Sequence, residues 1–175
     1  MNKKIKMFII CAIFVLISSC GNFTSSLSEQ GGLSGQVSVD TIKFSEFTVN
    51  IKYKNTSNNW ADLGTLVVRK EEDGIETGLN VIGNIDGQLR GHSATFFCIE
   101  ESEVNNFIKA MTNGGSFKTS LYYGDKYEQS SKEGIKDKEI ITKIENINNS
   151  EHITFLGDKT AEYAIPLEEL KKNFK

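Results

Sequence analysis

The sequence predicts an α+β domain: an antiparallel, strongly twisted sheet or half-barrel, with one amphipathic helix packed on it and a short C-terminal helix. Three observations carry this. Between Thr41 and Ile165 most apolar residues alternate with polar ones in short runs, the period of half-buried strands. One stretch alone in that region, around Val104 to Met111, repeats at helical spacing. The strand runs follow one another with two helices set in, without the strand-helix alternation of a parallel sheet.

The elements follow in order. In "TIKFSEFTVNIKYK" the apolar residues Ile42 and Phe44 change parity to Phe47, Val49, Ile51 and Tyr53, which predicts a long strand with a bulge near Ser45 and Glu46. "NTSNN" is a polar turn. Leu63 to Lys70 and Ile75 to Ile82 flank Glu71-Glu72-Asp73-Gly74 and read as a hairpin. "GNIDGQLRG", Gly83 to Gly91, holds three glycines and reads as an exposed loop. "SATFFCI" is a strand, with Phe96 and Cys98 on one face and Phe97 and Ile99 on the other. In "SEVNNFIKAM" the residues Val104, Phe107, Ile108 and Met111 form one helical stripe, with Ser102 as candidate N-cap and Gly114 as candidate C-cap. Ser116 to Tyr123 and Lys138 to Ile147 resume strand character across a charged loop, Gly124 to Asp137. "NNS" turns the chain into "EHITFLG", "AEYAI" is a last short strand, and Pro166 suits the first turn of a closing helix from Leu167 to Phe174.

Ahead of this domain the chain has a different character. Three lysines, Lys3, Lys4 and Lys6, precede an apolar run from Met7 to Ile17 and the small pair Ser18-Ser19, the layout of a secretory signal. As a helix this run reaches about 16 Å, against about 30 Å of hydrocarbon, so it is not a membrane span. Cys20 follows the small residues directly, and Ile17-Ser18-Ser19-Cys20 looks like a bacterial lipobox in its loose form; an ordinary signal with a chance cysteine is the plainer alternative. Residues 1–19 are thus read as a lipoprotein signal peptide, with Cys20 as the lipidation site. Residues 20–40, rich in Gly, Ser and Gln, read as a flexible lipidated tether with a reach near 23 Å by random-coil scaling. Residues 41–175 form the single ligand-binding domain.

Composition narrows the function. Losing the three leader lysines takes Lys and Arg from 20 to 17 against 23 acids, so the formal charge moves from −3 to −6. That balance disfavours nucleic acid, which calls for a basic face, and suits a basic protein partner. Of the three cysteines only Cys98 lies in the domain, so no disulfide framework is expected. His92 and His152 stand sixty residues apart with no His or Cys at ligand spacing, and no metal or other cofactor is expected. Cys98 could serve as a nucleophile beside a histidine, but a small buried hydrophobe is the simpler reading. The glycines of "GNIDGQLRG" precede a strand, not a helix, and so make no phosphate-cradling loop.

The leader "MNKKIKMFIICAIFVLISSC" and the stretches "KFSEFTVNIK", "NNWADLGTLVVRKEEDGI", "HSATFF", "ESEVNNFIKAMT", "GGSFKTSLYYG", "KEIITKIE" and "EYAIPLEELKKN" resemble the OspE-related (Erp) outer-surface lipoproteins of Lyme-disease spirochaetes. The resemblance spans nearly the whole chain outside the tether. It implies a lipid-anchored protein on the extracellular face of the outer membrane, not an enzyme, that binds the basic carboxy-terminal domains of host complement factor H and so evades complement. Plasminogen binding is also associated with the family. Two departures stand out. Many members pass almost directly from "GLN" to "GHSATFF", where this chain inserts "VIGNIDGQLR", and Cys98 stands where the family has serine.

If the partner is basic, the richest acidic turn is Glu71-Glu72-Asp73 with Glu76, beside Asn80 and Asp86. Arg69 belongs to the same hairpin, and the loop from Tyr123 to Glu128, with Tyr123 and Asp125, is the second candidate. These acids read equally well as solvated turn charges. An adhesin for matrix or glycosaminoglycan would need Lys126, Lys132, Lys136 and Lys138 on one face, and a surface enzyme would need Cys98 or an acid pair in a cleft. The chain is expected to act as a monomer.

Overall fold

The computed structural model describes residues 42–54, 57–85, 88–125 and 133–175, with no side-chain description for 82–93. The signal peptide, Cys20 and the tether lie outside these residues, as does Asp86. Ten strands form one antiparallel sheet: β1 (Glu46–Lys54), β2 (Trp60–Glu71), β3 (Gly74–Ile85), β4 (Gln88–Glu100), β5 (Gly115–Lys118), β6 (Leu121–Tyr122), β7 (Ile135–Lys136), β8 (Glu139–Ile147), β9 (Ser150–Leu156) and β10 (Glu162–Pro166). Helix α1 (Val104–Asn113) follows β4 and α2 (Leu167–Asn173) follows β10. The strand order is β5-β8-β9-β10-β1-β2-β3-β4-β6-β7. This is the predicted α+β class.

Strand β10 is short, yet it pairs with both β9 and β1 and so joins the β8–β9 hairpin to the β1–β4 meander. Two residues, Thr119 and Ser120, connect β5 at one end of the sheet to β6 near the other. The Thr119 N–H donates to the Lys138 carbonyl and the Ser120 N–H to that of Cys98, both at 2.9 Å. The sheet must therefore curl until its ends approach, although no strand pairing closes the ring among the described residues. One strand was expected over Ser116 to Tyr123; the chain instead divides it between the two ends.

Helix α1 buries Val104, Phe107, Ala110 and Met111 inside this curl, and α2 buries Leu167 and Leu170. Fully removing Phe107 from water brings it edge-on to Phe117, Phe97 and Phe174, with centroids 5.1, 6.0 and 5.7 Å away. Phe174, just past α2, thereby ties the two helices to one aromatic core, each such pair adding about 0.5–1.5 kcal/mol beyond its area. Glu103 precedes α1 with a single 3-10 turn, so Ser102 is not the N-cap; Gly114 is the C-cap, at φ 79° with its N–H on the Ala110 carbonyl.

Two other local expectations change. Residues 42–44 are not strand, so the parity switch at Ser45 marks where β1 begins and the register shift lies later, between Ile51 and Lys52. Gly64 faces it at φ 144°, where a Cβ would overlap the Asn80 carbonyl. Val81 to Ile85 and Gln88 to His92 are not a loop but the far end of the β3–β4 hairpin, paired through Ile85 and Gln88.

Candidate functional site

Side chains on alternate residues of β1 to β4 face away from the core, and the register lines them up across the sheet. Glu46 pairs with Arg69, Arg69 with Glu76, and Glu76 with Cys98. The Arg69 Nε donates to Glu46 Oε2 at 2.8 Å, and the Thr95 hydroxyl donates to Glu76 Oε1 at 3.0 Å. The hydrogen bond and charge of Glu46 raise the Arg69 pKa, with further support from Glu71 and Glu76. The result is a transverse row of alternating charge in which carboxylates outnumber the cation.

Two-residue hairpin chemistry sets the end of this row. Glu71 pairs with Gly74, leaving Glu72 and Asp73 exposed at the tip, and Gly74 sits at φ 156° with a Cβ-sized gap closed by the Ile99 carbonyl. The Asp73 carbonyl accepts from the Glu101 N–H at 2.9 Å, so the tip is held against the chain leaving β4. Beside the row lies a shallow groove of about 420 Å³, lined by Glu46, Val67, Arg69, Glu76, Gly78, Asn80, Ala94 and Thr95. Its floor is small and apolar; its walls are charged.

The structure thus gathers Arg69, Glu71, Glu76 and Asn80 on one outer face, with Glu72 and Asp73 at its end. Tyr123 is half-buried two strands from β3, its N–H donating to the Phe96 carbonyl at 2.9 Å. Asp125 is only 6% exposed, so its carboxylate is not offered to solvent. Glu46, Val67, Gly78, Ala94 and Thr95 were missed because only the pairing register brings them to Arg69 and Glu76.

Cys98 does not share the buried face of Phe96. A register shift at Thr77 and Gly78 makes Phe96 an extra residue in β4, so Phe96 and Phe97 are both buried while Cys98 turns outward, half-covered. Burial raises its thiol pKa, and the nearby Glu76 and Asp73 charges raise it further, the opposite of what a nucleophile requires. His152 lies five strands away in the sheet order, with Nδ1 3.0 Å from the Ser150 carbonyl. Among the described residues no group of His, Cys, Asp or Glu could hold a metal ion, and no helix is long and apolar enough to cross a membrane. Of the four lysines an adhesin would need, Lys126 and Lys132 lie outside the described residues, and Lys138 is drawn to Asp158 at 3.9 Å.

The family model described as Borrelia outer surface protein E matches residues 44–173, nearly all of the folded part. The chain belongs to the OspE family. Among solved OspE-like structures, complement regulator-acquiring surface protein 3 (ErpP) from Borrelia burgdorferi is 70% identical, covering 77% of this chain and 99% of its own, with a TM-score of 0.70. The complement regulator-acquiring protein ErpC from the same organism is 71% identical over 77% of this chain and 99% of its own, with a TM-score of 0.69. The solution structure of outer surface protein E is 60% identical, covers 88% of this chain and all of its own, and has a TM-score of 0.68. Among curated proteins none matches. Membership in the OspE family places the chain among cell-surface proteins, and two of its solved relatives are named for acquiring complement regulators, not for catalysis.

Proposed function

We propose that this chain is a lipoprotein, anchored through Cys20 to the extracellular face of the outer membrane, that captures host complement factor H on the outer face of β2 and β3. The observation that carries the reading is the row Glu46, Arg69, Glu76 ending at the exposed acids Glu72 and Asp73. Two relatives at 70 and 71% identity named as acquiring complement regulators support the class of partner. The carboxyl-terminal domains of factor H, basic in the resemblance given above, would be steered to a surface whose mature charge is −6.

The chemistry is that of a protein interface. Carboxylates on turns reach a cation without unfolding a strand, and the pairing of Arg69 with Glu46 at 2.8 Å keeps the row ordered before the partner arrives. The groove floor of Val67, Gly78 and Ala94 suits the methylene stem of a lysine or arginine whose head meets Glu76 or Glu46. Captured factor H would keep its regulatory activity and suppress complement at the surface.

The experiment is capture from serum. Cells displaying the full chain are incubated in human serum, washed and probed for factor H; enrichment over cells carrying the Cys20→Ala chain is expected. Equal factor H on both would remove the anchored-capture reading.

A further inference from the structure

The outer face of β8 and β9 carries the most exposed large apolar residues described. Ile141 is 60% exposed and Leu156 65%. They stand side by side, one residue beyond the paired Thr142 and Phe155, and both line a groove of about 420 Å³. Two exposed large aliphatic side chains adjoining on one sheet face are more than the scattered apolar residues of an ordinary surface.

Charge says what covers them. Along the outward side of β8 the order is Glu139, Ile141, Lys143, Glu145, with Lys118 of β5 across from Glu139, and neither Glu139 nor Lys143 has an ion-pair partner among the described residues. Four residues apart on a strand they lie about 13 Å from each other, too far to pair within one chain. A two-fold axis near Ile141 places each glutamate opposite the other copy's lysine and stacks the apolar pairs between them. An acid, an apolar centre and a base, evenly spaced, is the self-complementary sequence an isologous contact needs.

We infer that a second copy of this chain docks here, so that two copies associate through the outer faces of β8 and β9. The surface is small beside the 1,200 Å² or more of a stable interface, so the association is weak and depends on local concentration. It differs from the monomer expected from the sequence. Strands β10 and β1 separate this patch from the β2–β3 face, which stays free for another partner.

Sedimentation equilibrium of the full chain in density-matched detergent tests this. The wild type is expected to gain mass with concentration up to about 1 mM. Glu139→Lys alone, or Lys143→Glu alone, weakens association at least tenfold because like charges then face each other. The double exchange Glu139→Lys with Lys143→Glu returns it to within about threefold of wild type, a rescue that neither misfolding nor a micelle effect would produce. These positions are exposed, and circular dichroism checks the fold. A mass independent of concentration in the wild type, or a double exchange as weak as the single ones, overturns the proposal; in the second case the apolar pair serves a different partner.

Discussion

Thr77 shows how one residue holds the sheet where its register breaks. Its hydroxyl is fully buried, donates to the Phe97 carbonyl at 2.8 Å and accepts from the Phe97 N–H at 3.0 Å, thereby serving both backbone groups beside the extra residue Phe96. Thr77→Val keeps the shape and removes both bonds. Each buried polar group left unpaired costs about 1–3 kcal/mol, so urea unfolding should show a loss of about 2 kcal/mol or more, with Thr77→Ser costing less. A loss under about 0.5 kcal/mol would mean that the bulge is satisfied in another way. Nothing in "GIETGLN" marks this threonine as buried, because its role exists only once β3 and β4 have met out of register.

Cys98 is the other residue whose setting the sequence concealed. Simple alternation through "SATFFCI" would turn it inward with Phe96; the bulge at Phe96 reverses that and sets the thiol beside Glu76 and Asp73. With its pKa raised, first by burial and then by these acids, little thiolate forms at neutral pH. Alkylation followed by mass spectrometry of the Cys98 peptide should be severalfold slower at pH 8 than for a free cysteine, and faster in Glu76→Gln. The same shift makes the stability contribution of the neutral thiol complete below its unfolded pKa, and it is lost as pH rises through the raised folded value. Alkylation as fast as a free cysteine at pH 8 would contradict the assigned environment.

Among elements, the insertion "VIGNIDGQLR" is the informative case. It occupies Val81 to Arg90 and extends the β3–β4 hairpin by five residues on each strand. Asn80 and Ser93 already pair across the hairpin, so deleting 81–90 leaves Gly91 and His92 as a two-residue connection with glycine first, a geometry suited to a type II′ turn. The shortened chain should unfold cooperatively, within about 1 kcal/mol of the parent, since one hairpin turn replaces another. Loss of a cooperative transition would show that the extension supports the core. The hairpins at Glu72-Asp73 and at Asn148-Asn149 were legible because their turn residues stand between clean alternating runs, and both asparagines do adopt positive φ, 52° and 66°. "SFKTSLYY" was not legible as two strands: its period is unbroken, and only its partners, β8 for Phe117 and β4 for Tyr122, divide it.

At the scale of the molecule, the fold class followed from periodicity, whereas the curl of the sheet did not, because it depends on β10 inserting between β9 and β1 and on two residues spanning the sheet ends. The same holds for the candidate face. The acids at the hairpin tip could be read directly, but their continuation through Arg69 to Glu46 exists only in the register of three strands. Free strand edges are also managed by carboxylates distant in sequence: Glu169 on α2 accepts from the Asn50 N–H at 2.8 Å, and Glu103 from the Lys118 N–H at 3.0 Å. Such contacts satisfy backbone donors that strand pairing leaves open.

The most direct test is surface plasmon resonance between the full chain and the carboxyl-terminal domains of factor H at two salt concentrations. Truncating a desolvated, paired acid at an interface costs about 2–5 kcal/mol, while rim charges change mainly the association rate and its salt dependence. Glu72→Ala combined with Asp73→Ala, with the fold confirmed by circular dichroism, is predicted to weaken binding at least about tenfold, close to 1.4 kcal/mol, chiefly through faster dissociation. Unchanged dissociation constants at both salt concentrations would contradict the account and move the site away from the β2–β3 tip.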